Sequence, residues 1–83
     1  MEKLTSRVGL EIFQHVMDQG VRTDQGYSLD GITAYSAIDG YTVHLTDGVV
    51  TVHLMFHHSM AIDSPNQKST DEFLKKLSKL QPR

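Results

Sequence analysis

Histidine is the residue type here with the most chemistry to offer: His15, His44, His53, His57 and His58. An imidazole can exchange a proton near neutral pH or give a lone pair to zinc. His44 and His53 lie in two alternating runs separated by Asp47 and Gly48. If those runs pair as strands, both imidazoles fall on one face as diagonal neighbours, roughly 7–8 Å apart. Two such rings could share a zinc or nickel ion. His57 lies further along the same run, roughly 13 Å beyond His53 on an extended chain, too far for an easy third ligand. A structural zinc site wants four ligands and a catalytic one usually three. No carboxylate has a register-derived place beside the pair. The expectation is therefore no metal and no cofactor, with His44 and His53 as the ligands of the alternative reading, a metal or small-molecule site.

Other reactive constellations are harder to assemble. Ser36 and Ser59 are the candidate nucleophiles for a hydrolytic triad, but no strand-to-helix elbow presents either. Asp30, Asp39 and Asp47 each precede a glycine, which explains them as turn residues. The chain has no cysteine, so disulfides and thiol chemistry are excluded. The glycines are spread along the chain and form no phosphate-binding loop. No catalytic residue is assigned, and an enzyme is not expected.

The elements that hold these residues follow from periodicity. Asp-Gly between alternating apolar runs marks a two-residue hairpin loop, because a type I′ turn needs two positive φ angles. Taking Asp47 and Gly48 as such a loop pairs Thr46 with Val49, Leu45 with Val50, Val43 with Val52 and Tyr41 with Leu54. The same rule at Asp39 and Gly40 pairs Ile38 with Tyr41, Ser36 with Val43 and Ala34 with Leu45. At Asp30 and Gly31 it pairs Leu29 with Ile32 and Tyr27 with Ala34. All three turns direct one set inward: Tyr27, Leu29, Ile32, Ala34, Ile38, Tyr41, Val43, Leu45, Val50, Val52 and Leu54. Phe56 extends it. A one-residue slip would mix the two faces, so turn and pattern choose the same parity.

Residues 4–19 read as a helix with Thr5 or Ser6 as cap and Val8, Ile12, Phe13 and Val16 on its apolar side. Leu4, Leu10 and Met17 widen that arc, which suggests contact with more than a sheet. Gly9 permits close packing, and Gly20 fits a left-handed position just past the end. Residues 21–26 read as a polar connection. After Phe56 the alternation continues through Met60 and Ile62, so the last strand is expected to run on past its neighbour. A second helix follows, capped by Ser69 with Glu72 as its reciprocal partner, or by Ser64 with Pro65 in the first turn. Phe73, Leu74, Leu77 and Leu80 form its apolar seam.

The expected architecture is a single α+β domain over residues 1–83. A helix, a four-stranded antiparallel meander and a second helix form two layers, with both helices on one sheet face. That leaves Thr33, Tyr35, Thr42, His44, Thr46, Val49, Thr51, His53, Met55 and His57 on the other face.

The formal charge is −2, and the open face carries one aromatic ring, Tyr35, with no Lys or Arg. Stacking or electrostatic recognition of nucleic acid is not expected. No apolar run is long enough to span a membrane, and residues 1–10 lack a signal-peptide core, so a cytoplasmic protein is expected. Aromatic residues and Met are enriched at interfaces while Lys and Glu are depleted. The leading expectation is thus a non-catalytic protein that binds a protein partner, or itself as a homodimer, through Tyr35, His44, His53 and Met55.

The Asp-Gly-Tyr-Thr at 39–42, the hairpin through Phe56 and His57, and the Ser-Pro-Asn before a Phe-Leu-Lys-Lys-Leu helix are together similar to short bacterial proteins of a domain-of-unknown-function family. The resemblance covers most of the chain. It implies a bacterial cytoplasmic protein without an established activity, and it transfers no functional residues.

Overall fold

The computed structural model describes residues 4–38, 40–55 and 59–81. Its first element is helix α1, Ser6–Gln19. The Thr5 side chain caps it by accepting a hydrogen bond from the Val8 N–H at 3.2 Å. Gly9, Ile12 and Val16 form its buried side. A Cβ added at Gly9 would meet Leu54 Cδ2 at 2.8 Å, so this glycine lets the helix lie directly on the sheet. Gly20 is not left-handed as expected; its φ is −80°. It is small for a different reason. A Cβ there would sit 2.5 Å from the Val16 carbonyl oxygen and 2.8 Å from that of Ser28.

The sheet has six strands rather than four: β1 Val21–Arg22, β2 Tyr27–Leu29, β3 Ile32–Ser36, β4 Thr42–Thr46, β5 Thr51–Met55 and β6 Met60–Asp63. All neighbours are antiparallel, in sequential order. The stretch expected as a polar connection contains β1, which pairs Val21 with Ser28 and Arg22 with Tyr27. Thr23 shapes the turn that makes this possible. Its N–H donates to the Gly26 carbonyl at 2.7 Å, and its hydroxyl accepts from Gln25 and Gly26 N–H. At the other edge the last strand does not run on. The chain reverses, Met55 N–H donates to the Ser59 carbonyl at 2.9 Å, and β6 pairs back along β5. Phe56, His57 and His58 lie outside the described residues.

Two of the three Asp-Gly turns give the expected register. Asp30 and Gly31 have φ of 50° and 84°, both positive as a type I′ turn requires, and Leu29 pairs with Ile32. Between β3 and β4 Ala34 pairs with Leu45 and Ser36 with Val43. These strands stop at Ser36 and Thr42, however, so Ile38 and Tyr41 are exposed rather than in the core. The third turn differs. Thr46 pairs with Thr51 and Leu45 with Val52, so the loop spans residues 47–50 and the partners are displaced by two residues. Asp47 keeps a negative φ and uses its carboxylate instead. Oδ1 accepts from the Val49 and Val50 N–H groups at 2.9 and 2.8 Å. The Thr46 hydroxyl accepts from Gly48 N–H and donates to the Val50 carbonyl.

A two-residue shift preserves parity, so Val50, Val52 and Leu54 still point inward. With Ile32, Ala34 and Leu45 they supply the sheet side of one core. Helix α1 adds Ile12 and Val16, and helix α2, Gln67–Leu80, adds Phe73, Leu77 and Leu80. The cap of α2 is neither Ser69 nor Ser64 but Asn66, whose side chain accepts from Ser69 N–H at 2.8 Å. Ser64 serves one step away, accepting from the Thr70 hydroxyl and donating to the Asn66 carbonyl.

Lys76 of α2 lies 3.3 Å from Asp47 Oδ2 and ties this helix to the β4–β5 turn. Burial pushes the Asp47 carboxyl upward, but the Val50 and Val49 N–H donors and the Lys76 ammonium outweigh it. The net position is below the ordinary value. A depressed folded-state carboxyl adds stability that is fully present above its unfolded value and is lost as pH falls through the folded one. Stability should therefore drop below about pH 4. Asp47→Asn, which keeps an acceptor for the two N–H groups, should show a shallower drop. Urea midpoints measured from neutral pH down to the acid range check this, and parallel pH curves for the two proteins would refute it.

Candidate functional site

Directly paired residues in an antiparallel sheet project to the same side. The pairings therefore tile the side away from the helices into rows. One row runs Val21, Ser28, Thr33, Thr46, Thr51, Asp63. The next runs Tyr35, His44, His53, Ala61. A third contains Thr42 and Met55.

The middle row holds the unusual chemistry. Tyr35 lies opposite His44, as the sequence indicates, and the rings stack with centroids 4.7 Å apart at 29°. His53 is not diagonal to His44 but directly opposite it, because the β4–β5 loop holds four residues instead of two. The two rings meet edge to face, with centroids 4.9 Å apart at 87°. Their Nδ1 atoms are 2.8 Å apart. A hydrogen bond at that distance needs one Nδ1 to donate and the other to accept, so at least one ring carries no proton at Nδ1. Both imidazoles are half-buried, as is Tyr35. The row is thus a packed aromatic string of three rings rather than three independent surface groups.

Around it the face is hydroxylic. The Thr51 hydroxyl donates to that of Thr46 at 3.1 Å. Cross-strand threonine pairs of this kind add modest stability to a sheet. Met55 is exposed beside the string, and Val21 is exposed at the far margin. Among the described residues, no Lys, Arg, Asp or Glu occupies this side of β2 to β5; Asp63 sits at the β6 margin. Val49, expected on the face, lies in the turn and is exposed there, and His57 falls outside the described residues. Val21, Ala61 and Asp63 join the site only through β1 and β6. Nothing in the sequence placed them here, since β1 is too short to show a period and β6 reads as a continuation of β5 rather than a strand folded back along it.

Ser36 pairs with Val43 on the opposite side of the sheet from the imidazoles, so it is not beside a base. Among the described residues, no group of three or more His, Asp or Glu side chains could hold a metal ion. No helix among them is long and apolar enough to cross a membrane.

No curated protein and no solved structure matches the chain. The family-level resemblance is firmer and spans the whole fold: residues 4–83 match the model of a family described as "Protein of unknown function (DUF3081)", and the chain belongs to that family.

Proposed function

We propose that the chain is a non-catalytic protein-binding module whose open sheet face is the contact surface, and that a second copy of the chain is its partner. The observation that carries this reading is the uncharged side of β2 to β5 centred on Tyr35, His44, His53 and Met55. Interfaces favour aromatic residues and Met and disfavour Lys, Glu and Asp. The helices present the contrast, with Glu11, Asp18, Lys75, Lys76 and Lys79 all exposed. Two copies can meet across the open face without like-charge repulsion. Nucleic acid fits it poorly, since phosphate neutralisation needs the Lys and Arg that this face lacks. The reading calls for no cofactor, and the cytoplasm of a bacterial cell is the setting that the family resemblance implies.

Sedimentation from micromolar to millimolar concentration tests it. The wild-type chain should show a concentration-dependent dimer. Tyr35→Glu or Met55→Lys, checked for folding by circular dichroism, should weaken association by about 30-fold or more, as at a central contact residue. A monomer throughout the range, or association indifferent to both substitutions, would overturn the reading.

A further inference from the structure

We infer that His44 and His53 are one half of a zinc site, completed by the same two residues of a second copy; the inference rests on the self-association reading above. The starting point is the direct opposition of the two rings. Two nitrogens bound to one zinc ion at the tetrahedral angle, each at ~2.0–2.1 Å, lie ~3.3 Å apart. The two Nδ1 atoms are already at 2.8 Å. An opening of about half an ångström, together with a turn of roughly 35° that brings each Nδ1 lone pair off the line between the rings and onto one point, converts the hydrogen-bonded pair into a chelate.

The surroundings favour that conversion. Register fixes both Cα positions on adjacent strands, and the stacked Tyr35 ring restricts His44 from one side. Little side-chain freedom remains to be lost on binding, which is the usual cost of assembling a site. The ring that donates at Nδ1 must first carry its proton on Nε2 instead. That is a tautomer change through water, with no net gain or loss of charge.

Among the described residues the pair alone does not complete a zinc site. A closed zinc site takes four ligands, and among the described residues no third His, Asp or Glu joins these two. A twofold axis through the ion supplies the missing pair, because an isologous contact presents the same patch twice. Packed sheets stand about 10 Å apart. An ion held at Nδ1 lies roughly 5 Å above its own strands, near the midplane of such a packing. The face brings no Lys, Arg, Asp or Glu from β2 to β5 into that space.

The test is titration of the metal-free full chain with zinc chloride, followed by histidine ring NMR and by sedimentation. Saturation is expected at one zinc per two chains, with the His44 and His53 ring signals shifting together and dimerisation tightening by about tenfold or more. His44→Gln and His53→Gln should each abolish these effects, and His15→Gln, a substitution in α1, should leave them intact. Saturation at one zinc per chain would overturn the inference, as would effects that survive His44→Gln and His53→Gln. A dimer that forms equally well with EDTA, with both rings silent to zinc, would overturn it while leaving the self-association reading standing. A monomer with and without zinc would overturn both.

Discussion

Replacing Phe73 by alanine should destabilise the chain by about 3–5 kcal/mol, the range for removing a fully buried aromatic ring. Phe73 has no exposed surface, and with Leu77 and Leu80 it forms the whole buried side of α2. Apart from the half-buried Leu74, which packs against the same core, the rest of that helix is polar, so little else holds it there. A domain of this length has a net stability of roughly 4–12 kcal/mol. The single truncation therefore removes about a quarter of it at the least, and the population of unfolded chain should become visible in mild urea. Phe73→Leu, which keeps most of the volume, should cost clearly less. Ile38→Ala supplies the contrast. Ile38 belongs to the alternating apolar set, yet it is fully exposed beyond the end of β3. Its truncation should change stability by no more than about 0.5 kcal/mol. Urea unfolding of the three variants checks the series. A Phe73→Ala midpoint close to that of Ile38→Ala would contradict this picture of the core.

The second large effect is expected at Gly26. An added Cβ would run into the Ala34 carbonyl oxygen and lie 3.1 Å from its carbon and 3.0 Å from the Tyr35 Cβ. The Ala34 atoms belong to a strand backbone held on both sides by pairing with β2 and β4, so they cannot swing away as a side chain tip could. Gly26→Ala should cost about 1–3 kcal/mol, the range for forced overpacking. Its consequence is not only lost stability. Separating β2 from β3 disturbs the backbone under Tyr35, and Tyr35 is stacked on His44. The His44 ring signal should therefore move in Gly26→Ala although only Tyr35 links the two. Unchanged stability and an unmoved His44 signal would together show that the strands yield at no cost.

Parity was the legible part of this chain, and length was the illegible part. Alternation identified Ile32, Ala34, Leu45, Val50, Val52 and Leu54 as one buried set, and helical spacing identified Ile12, Val16, Phe73 and Leu77. Those assignments survive because a strand shifted by two residues buries the same side chains. For the same reason, alternation could not distinguish a two-residue loop from a four-residue loop at Asp47. The choice is made by a carboxylate and a hydroxyl acting on backbone N–H groups, which hydrophobic patterning does not register. Strand β1 has two residues, too few to show any period. The apolar alternation of β6 was visible, but alternation carries no direction, so a strand folding back reads like one continuing. The extension of pairing to Ile38 and Tyr41 failed because that turn is wider than its central dipeptide. The site divides along the same line. Tyr35 opposite His44 was legible from a correctly counted turn, and His44 opposite His53 was not.

The four-residue loop gives the hairpin an addressing problem that its interior cannot solve. Two alignments of β4 and β5 direct the same side chains inward, so the apolar pattern alone does not choose between them. What distinguishes them is decided outside the core, by Asp47 with its two N–H donors, by Lys76 reaching across from α2, and by the encounter of the two imidazoles. Asp47 thus selects which residue His44 meets without touching either ring. Heritable change in the face-to-face chemistry of this sheet can arise in a turn, leaving the folded interior unaltered.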